Sequence, residues 1–121
     1  MPPIPRHQPA DQPLLDIDHF TELCDMLGSD QTETLLRAFL IDLDTRIPAI
    51  VSDCVADRHD AAKRSVHGLK GAALSIGARR VAMIAAGIER AADGERRSMC
   101  ADLAPCATET RDLINALLPQ A

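Results

Sequence analysis

Apolar residues recur at steps of three and four along almost the whole chain after residue 13, and this spacing limits the possible folds more than any other feature. Such steps place apolar side chains on one face of an α-helix. The longest series keeps its phase across Pro48 and consists of Leu36, Leu40, Leu43, Ile47, Ile50 and Cys54. We find no convincing strand pattern, so the sequence predicts an all-α fold.

Glycine and proline residues divide this pattern into predicted helices. These span about residues 16–27, 30–54, 60–76 and 79–93, followed by a last helix that starts near Ser98 or at Pro105. The second should be one long helix that bends at Pro48, because proline lacks the N–H of a helical hydrogen bond. Four long amphipathic helices with short connections predict an antiparallel four-helix bundle, with the short first helix as an extra N-terminal element.

The first 13 residues differ from the rest, because they contain five prolines and no apolar periodicity. We expect residues 1–13 to be a Pro-rich flexible tail or linker, and residues 14–121 to form one helical bundle domain. The tail lacks the apolar core of a signal peptide. No segment approaches the roughly 20 apolar residues that cross a bilayer. We therefore expect a cytoplasmic protein that makes no membrane contact.

Charge and cysteine content exclude further classes of protein. The formal net charge is −5, whereas a nucleic-acid-binding protein should carry a basic surplus, so we expect no nucleic-acid partner. The four cysteines contain no CxxC pair and are expected to be reduced, apolar helix residues rather than zinc ligands. The carboxylates do not converge with a histidine at ligand spacing, so we predict no metal site.

The segment HGLKGAALSIG, residues 67–77, places three glycines in a predicted helix. On a helical projection the apolar residues share a sector about 80° wide, which is the predicted buried face. That face consists of Ala62, Val66, Leu69, Ala73 and Ile76. His67 lies about 140° from the middle of this sector and is therefore predicted to point to solvent.

The neighbours of His67 indicate what such an exposed ring could do. Gly71, one helical turn later, leaves one flank of the imidazole open, and Lys70 can bring a positive charge to the same space. An exposed imidazole is largely neutral at cytosolic pH and therefore nucleophilic. A neutral nucleophile, a cation and cleared space together favour an imidazole that accepts a phosphoryl group.

The run His67-Gly68-Leu69-Lys70-Gly71, with Gly77 ten residues after the histidine, resembles the signature of the histidine phosphotransfer (HPt) domain of two-component phosphorelays. Glu89 after Ile88 is similar to the Leu-Glu ending usual in that family. The resemblance implies a phosphoprotein in which His67 takes a phosphoryl group through Nε2 from a receiver-domain aspartyl phosphate and passes it to another receiver. It further implies that Lys70 helps to neutralise the group and that Gly71 keeps the ring accessible.

The resemblance also implies the partners and cofactors of the chain. The partners would be receiver domains of response regulators, and the receiver of a hybrid sensor kinase is one candidate among them. The chain would have no kinase activity and no cofactor of its own, with Mg²⁺ supplied on the receiver. We expect a monomer.

Two residues depart from the family pattern. Gly68 stands where a side chain is usual, and Leu74 replaces a small residue seven positions after the histidine. The residues predicted to contact a partner are Lys63, Arg64, Leu74 and Ile41. Because Gly68 and Leu74 alter the surface around His67, an alternative function remains: a helical protein-binding scaffold or adaptor that is not phosphorylated.

Overall fold

The computed structural model describes residues 9–119, and helices are the regular structure of that range. A 3₁₀ turn at Pro9–Asp11 precedes five α-helices. These are α1 (Ile17–Val55), α2 (His59–Ile76), α3 (Arg79–Arg90), α4 (Arg96–Cys100) and α5 (Leu103–Leu117). The predicted all-α class is confirmed. Within the described range, no helix combines the length and the apolar character needed to cross a membrane.

Helix α1 contains a break at Gly28, where φ is 80° and ψ is 167°. Glycine adopts a positive φ without steric penalty, so the chain can kink here and resume the helix. Residues 17–27 form the expected extra N-terminal helix, and residues 29–55 form the long helix. The boundary that the sequence predicts between residues 27 and 30 is therefore a kink between two helical segments. Pro48 lies inside the long segment, where the backbone keeps helical dihedral angles.

The long segment of α1 forms a four-helix bundle with α2, α3 and α5. Contacts run from α1 to α2, from α2 to α3, from α3 to α5, and from α5 back to α1. Short turns at residues 56–58 and 77–78 make consecutive helices antiparallel. The last helix starts at Leu103, between the two predicted starts, so Pro105 lies in its first turn, where its missing N–H has no helical acceptor.

The bundle core is built from aliphatic side chains. The buried face of α2 consists of the five predicted residues, Ala62, Val66, Leu69, Ala73 and Ile76. They pack in one cluster with α1 side chains such as Leu43 and Ile50, both fully buried. Full burial of a side chain of this size stabilises the fold by about 1.5–3 kcal/mol. Because this face is fixed in the core, the opposite face of α2 points outward.

Two cysteines form a link that the sequence did not indicate. Cys54, near the end of α1, and Cys100, at the end of α4, are joined by a disulfide across 46 residues of sequence. Cys24 and Cys106 are free. The expectation of four reduced thiols is thus wrong for this pair, because periodicity places Cys54 on a buried face without revealing that α4 returns to it.

The buried side chain of Arg96 caps the C-terminal end of α3 with hydrogen bonds. The side chain of Arg96 is 1% exposed; its Nε donates to the carbonyl of Ile88 at 3.1 Å and its Nη2 to that of Ala91 at 2.7 Å. A buried charge requires such partners, because an unpaired one would be strongly destabilising. The two carbonyls bracket Glu89 in the sequence, so Arg96 fixes the turn of α3 that carries it.

The N-terminal segment is held against the bundle from Pro9 onward. Arg80 Nε donates to the carbonyl of Gln12 at 2.9 Å, and the N–H of Asp16 donates to the carbonyl of Gly77 at 2.8 Å. Leu15 between them is buried. Residues 9–13 of the predicted tail thus follow a defined path along α3, while residues 1–8 lie outside the described residues.

Candidate functional site

His67 lies on the outward face of α2, and its side chain is 69% exposed. Its position follows from the core packing of α2, because the five apolar residues on the opposite face are buried. The sequence-based prediction of an exposed imidazole is confirmed.

One nitrogen of the His67 ring contacts a carboxylate of α3. The Nδ1 atom lies 3.1 Å from Oε1 of Glu89. An ionised carboxylate accepts hydrogen bonds and cannot donate them, so Nδ1 must carry the hydrogen in this contact. In a neutral ring the lone pair then resides on Nε2. The contact therefore selects the tautomer in which Nε2 carries the free lone pair and faces away from Glu89 as a hydrogen-bond acceptor.

Glu89 also binds the lysine predicted to assist the histidine. Lys70 Nζ lies 2.9 Å from Oε2 of Glu89. The pKa of Glu89 is lowered from its ordinary value, first by Lys70 and then by His67, while partial burial opposes the shift. The carboxyl group is therefore ionised at neutral pH and holds both an ammonium and an imidazole. The Lys70 ammonium is placed one helical turn along α2 from His67.

The three glycines of the motif have different structural roles. A Cβ on Gly71 would meet no atom within 4 Å, so the space beside the ring is open to solvent. Gly77 has φ 84° and ends α2 in the left-handed conformation, where glycine is favoured. The His19 ring lies against Gly77, and His19 Nε2 is 2.9 Å from the carbonyl oxygen of Ser75.

The third glycine, Gly68, receives a side chain from α1. A Cβ at this position would lie 2.5 Å from Nη1 of Arg46, closer than atoms can approach. Arg46 is itself paired with Asp42, through a contact of 2.8 Å between Nε and Oδ1. The bare backbone at Gly68 thus makes room for a guanidinium group.

Three of the four predicted partner-binding residues lie near His67. Lys63 and Arg64 line a depression that also contains His67 and Glu89. Leu74 is 50% exposed and lines a neighbouring groove, which it shares with Lys70 and with Ala82, Met83 and Ala86 of α3. Ile41 is 67% exposed on α1 and lines neither depression.

Within the part of the chain that the structure describes, the remaining histidines and acidic residues do not form a metal centre. Among residues 9–119, no group of three or more His, Cys, Asp or Glu side chains could hold a metal ion. His59 Nδ1 lies 2.8 Å from Arg96 Nη1 and so contributes to the closure of α3. His7 is outside the described residues.

Sequence reasoning missed the contacts of Glu89 and Arg46. Glu89 is the one acidic residue of α3, and this could have marked it as a candidate site residue. Its contact with His67, however, depends on the relative rotation of two helices, which the sequence does not give. Arg46 has no sequence signal beyond its spacing of four from Asp42, which suggests an ordinary ion pair.

Comparison with known proteins agrees with this geometry. A family model described as Hpt domain matches residues 34–120. The crystal structure of histidine-containing phosphotransfer protein B (HptB) from Pseudomonas aeruginosa PAO1 is similar, with a TM-score of 0.80 and 21% sequence identity over 87% of this chain and 94% of that chain. At this identity the likeness supports the fold. No significant match was found among curated proteins. Since the family model covers most of the sequence, the chain belongs to the Hpt domain family, the histidine phosphotransfer modules of two-component phosphorelays.

Proposed function

We propose that His67 is the phosphoacceptor of this chain, that it takes a phosphoryl group from an aspartyl phosphate of one receiver domain, and that it passes the group to another receiver. The observation that carries the proposal is the contact of 3.1 Å between Nδ1 of His67 and Glu89 on a ring that is 69% exposed. This contact leaves Nε2 as the nucleophilic atom.

The transfer needs no proton to leave the ring. The Nε2 lone pair forms a bond to phosphorus while the bond from phosphorus to the aspartate oxygen breaks, and the aspartate leaves as a carboxylate. The ring keeps its hydrogen on Nδ1 and becomes a phosphorylated imidazolium. Glu89 faces that nitrogen, so its negative charge stabilises the cation that forms. The reverse sequence returns the group to a second receiver.

Lys70 and Gly71 act on the phosphoryl group in this proposal. Lys70 can turn from Glu89 toward the new negative charge, because its ammonium is a flexible point charge one turn from the ring. Gly71 leaves the flank of the ring open, since a Cβ there would meet no atom within 4 Å. Phosphoryl transfer depends mainly on positioning and charge stabilisation, which these two residues would supply.

The receiver completes the site. We assign Mg²⁺ to the acidic pocket of the receiver, and we assign no kinase activity to this chain, which acts as an intermediate carrier. Lys63 and Arg64, which line the same depression as His67, would attract the acidic receiver. The monomeric state and the cytoplasmic location expected from the sequence are part of the proposal; light scattering and cell fractionation test them.

The test is incubation with purified receiver domains that carry a labelled phosphoryl group. Label should appear on the wild-type protein, be lost in acid, and be absent from His67→Gln. His19→Gln is the matched control, because this histidine binds the carbonyl of Ser75 and has no role in the transfer.

The same experiment decides the alternative of an unphosphorylated adaptor. Label that persists on His67→Gln would overturn the assignment of the phosphoacceptor. Binding of a receiver that survives His67→Ala, without transfer to the wild type, would favour an adaptor.

A further inference from the structure

Arg46 reaches across from α1 and lies on the backbone of α2 next to the phosphoacceptor. A Cβ at Gly68 would lie 2.5 Å from Nη1, 2.9 Å from Cζ and 3.1 Å from Nη2 of Arg46. The guanidinium group therefore occupies the volume that any other residue type at position 68 would fill. Gly68 directly follows His67 in α2, so this cation contacts the helix one residue beyond the phosphoacceptor.

Arg46 and Lys70 lie on opposite sides of α2. His67 and Lys70 reach Glu89 on α3, whereas Gly68 faces α1 through Arg46. Gly68 and Gly71 are three residues apart and are therefore neighbours on the helix surface; we call this surface the glycine strip. A partner that approaches His67 over the glycine strip would meet Lys70 on one side and Arg46 on the other.

In this position, the two Nη atoms of Arg46 remain available to donate hydrogen bonds to a partner. Its Nε is used by Asp42, and within residues 9–119 its two Nη atoms make no hydrogen bond to another group. Its side chain is 37% exposed, so those atoms can be reached from solvent. The contact with Asp42 also fixes the side chain before a partner binds, which reduces the entropy lost on binding.

We propose that Arg46, seated on Gly68, is a specificity-determining residue that binds a carboxylate on the acidic surface of the receiver domain. The inference rests on the proposed function and adds a contact on the α1 side of His67. Arginine suits this role because its planar group binds a carboxylate through two parallel hydrogen bonds. The whole chain carries a net charge of −5, so an acidic partner must be attracted by a local cluster of positive charge.

The experiment measures kcat and KM for phosphotransfer from a purified phosphorylated receiver at low and high salt. Arg46→Gln should raise KM about tenfold with kcat unchanged, and should weaken the salt dependence of KM. Arg46→Lys should restore the salt dependence and part of the KM, since it keeps the charge without the planar group.

Gly68→Ala tests whether the position of the Arg46 guanidinium against Gly68 matters, because it leaves the charge of Arg46 unchanged. The added methyl group should displace the guanidinium and raise KM to a similar extent as Arg46→Gln. The double variant should be no worse than either single variant, because both remove the same contact. Thermal unfolding checks that each variant is folded.

Arg37→Gln is the matched control. Arg37 also lies on α1 and also pairs with an acidic residue four positions earlier, Glu33. It additionally donates to the carbonyl of Pro119, so loss of a surface ion pair alone should affect Arg37→Gln at least as much as Arg46→Gln. Unchanged kinetics in Arg46→Gln, or an equal change in Arg37→Gln, would overturn the inference while leaving the phosphoacceptor assignment intact.

A small phosphodonor separates receiver binding from contact with the phosphoryl group. With phosphoramidate, His67 should be labelled at the wild-type rate in Arg46→Gln, since no receiver is present. An equal loss of rate with phosphoramidate and with the receiver would overturn the inference. No labelling of the wild type by any receiver would instead contradict the proposed function itself.

Discussion

Glu89 Oε1 lies 3.1 Å from Nδ1 of His67, so a carboxylate on α3 orients the imidazole on α2. The same carboxylate binds Lys70 through its other oxygen at 2.9 Å. One acidic residue thus determines the tautomer of the ring and the resting position of the ammonium. The two helices are held in this register by the bundle core and by the closure of α3 at Arg96.

Removal of the carboxylate should slow the transfer without unfolding the protein. In Glu89→Ala the ring loses the acceptor of its Nδ1 hydrogen, so both tautomers become populated and the phosphorylated ring loses its counter-charge. A hydrogen bond to a charged group contributes about 1.5–3 kcal/mol, so we expect a rate loss of roughly 10- to 100-fold. Nitrogen chemical shifts of His67 report the tautomer directly. A ring that keeps its hydrogen on Nδ1 in this variant would contradict the role of Glu89.

Substitution at Gly71 should separate stability from transfer. Alanine there should stabilise α2 by up to about 1 kcal/mol, because glycine has a low helix propensity and the position is open. Glutamate should leave the fold intact but slow the transfer severely. Its side chain would fill the open volume beside the His67 ring, and its negative charge would repel the phosphoryl group. Urea unfolding and receiver phosphotransfer measure the two effects. Normal transfer in Gly71→Glu would mean that the open flank has another purpose.

Lys70→Ala should shorten the lifetime of the phosphohistidine while leaving the thermal stability of the fold almost unchanged. The variant removes the cation that we propose neutralises the phosphoryl group, so we expect slower transfer or a shorter-lived phosphohistidine. The lysine is partly exposed and its partner is a single carboxylate, so the thermal midpoint should change little. The decay rate of the acid-labile label is the measurement. Lys63→Ala is the control, since that lysine has been assigned to attraction of the receiver, and its label should decay at the wild-type rate.

The lowered pKa of Glu89 predicts a pH-dependent contribution to stability. The folded protein releases this proton more readily than the unfolded chain, so the stabilisation is present above the unfolded pKa and is lost as the pH falls through the lowered folded value. The difference in unfolding free energy between wild type and Glu89→Gln should be constant above about pH 5 and should shrink below about pH 4. Denaturant titrations across this range test it. A difference that stays constant throughout would show that the pairing does not persist in solution.

The sequence correctly predicted features that are determined within a single helix, such as the limits and the buried face of α2. The buried face of α2 was predicted residue by residue, and the exposure of His67 followed from it, because both depend on helical periodicity alone. The left-handed end of α2 at Gly77 was likewise predictable from glycine chemistry. The order and class of the helices followed for the same reason.

Contacts between helices could not be predicted in the same way. The meeting of Glu89 with His67, the seat of Arg46 on Gly68 and the Cys54–Cys100 link each depend on the rotation and offset of neighbouring helices. A periodic pattern does not determine these quantities to within a hydrogen-bond length. Gly68 illustrates the gap: its lack of a side chain is visible in the sequence, but the group that fills the space is not.

The covalent bond between Cys54 and Cys100 makes a closed ring of the chain between them. Helices α2 and α3 lie wholly inside that ring, while α5 and the N-terminal segment lie outside it. A single cut of the chain between His67 and Glu89 would therefore leave the histidine and its carboxylate in one covalently joined molecule. Reduction of the bond would release the two fragments from each other, so the connection between the histidine and its carboxylate would then depend on noncovalent packing alone.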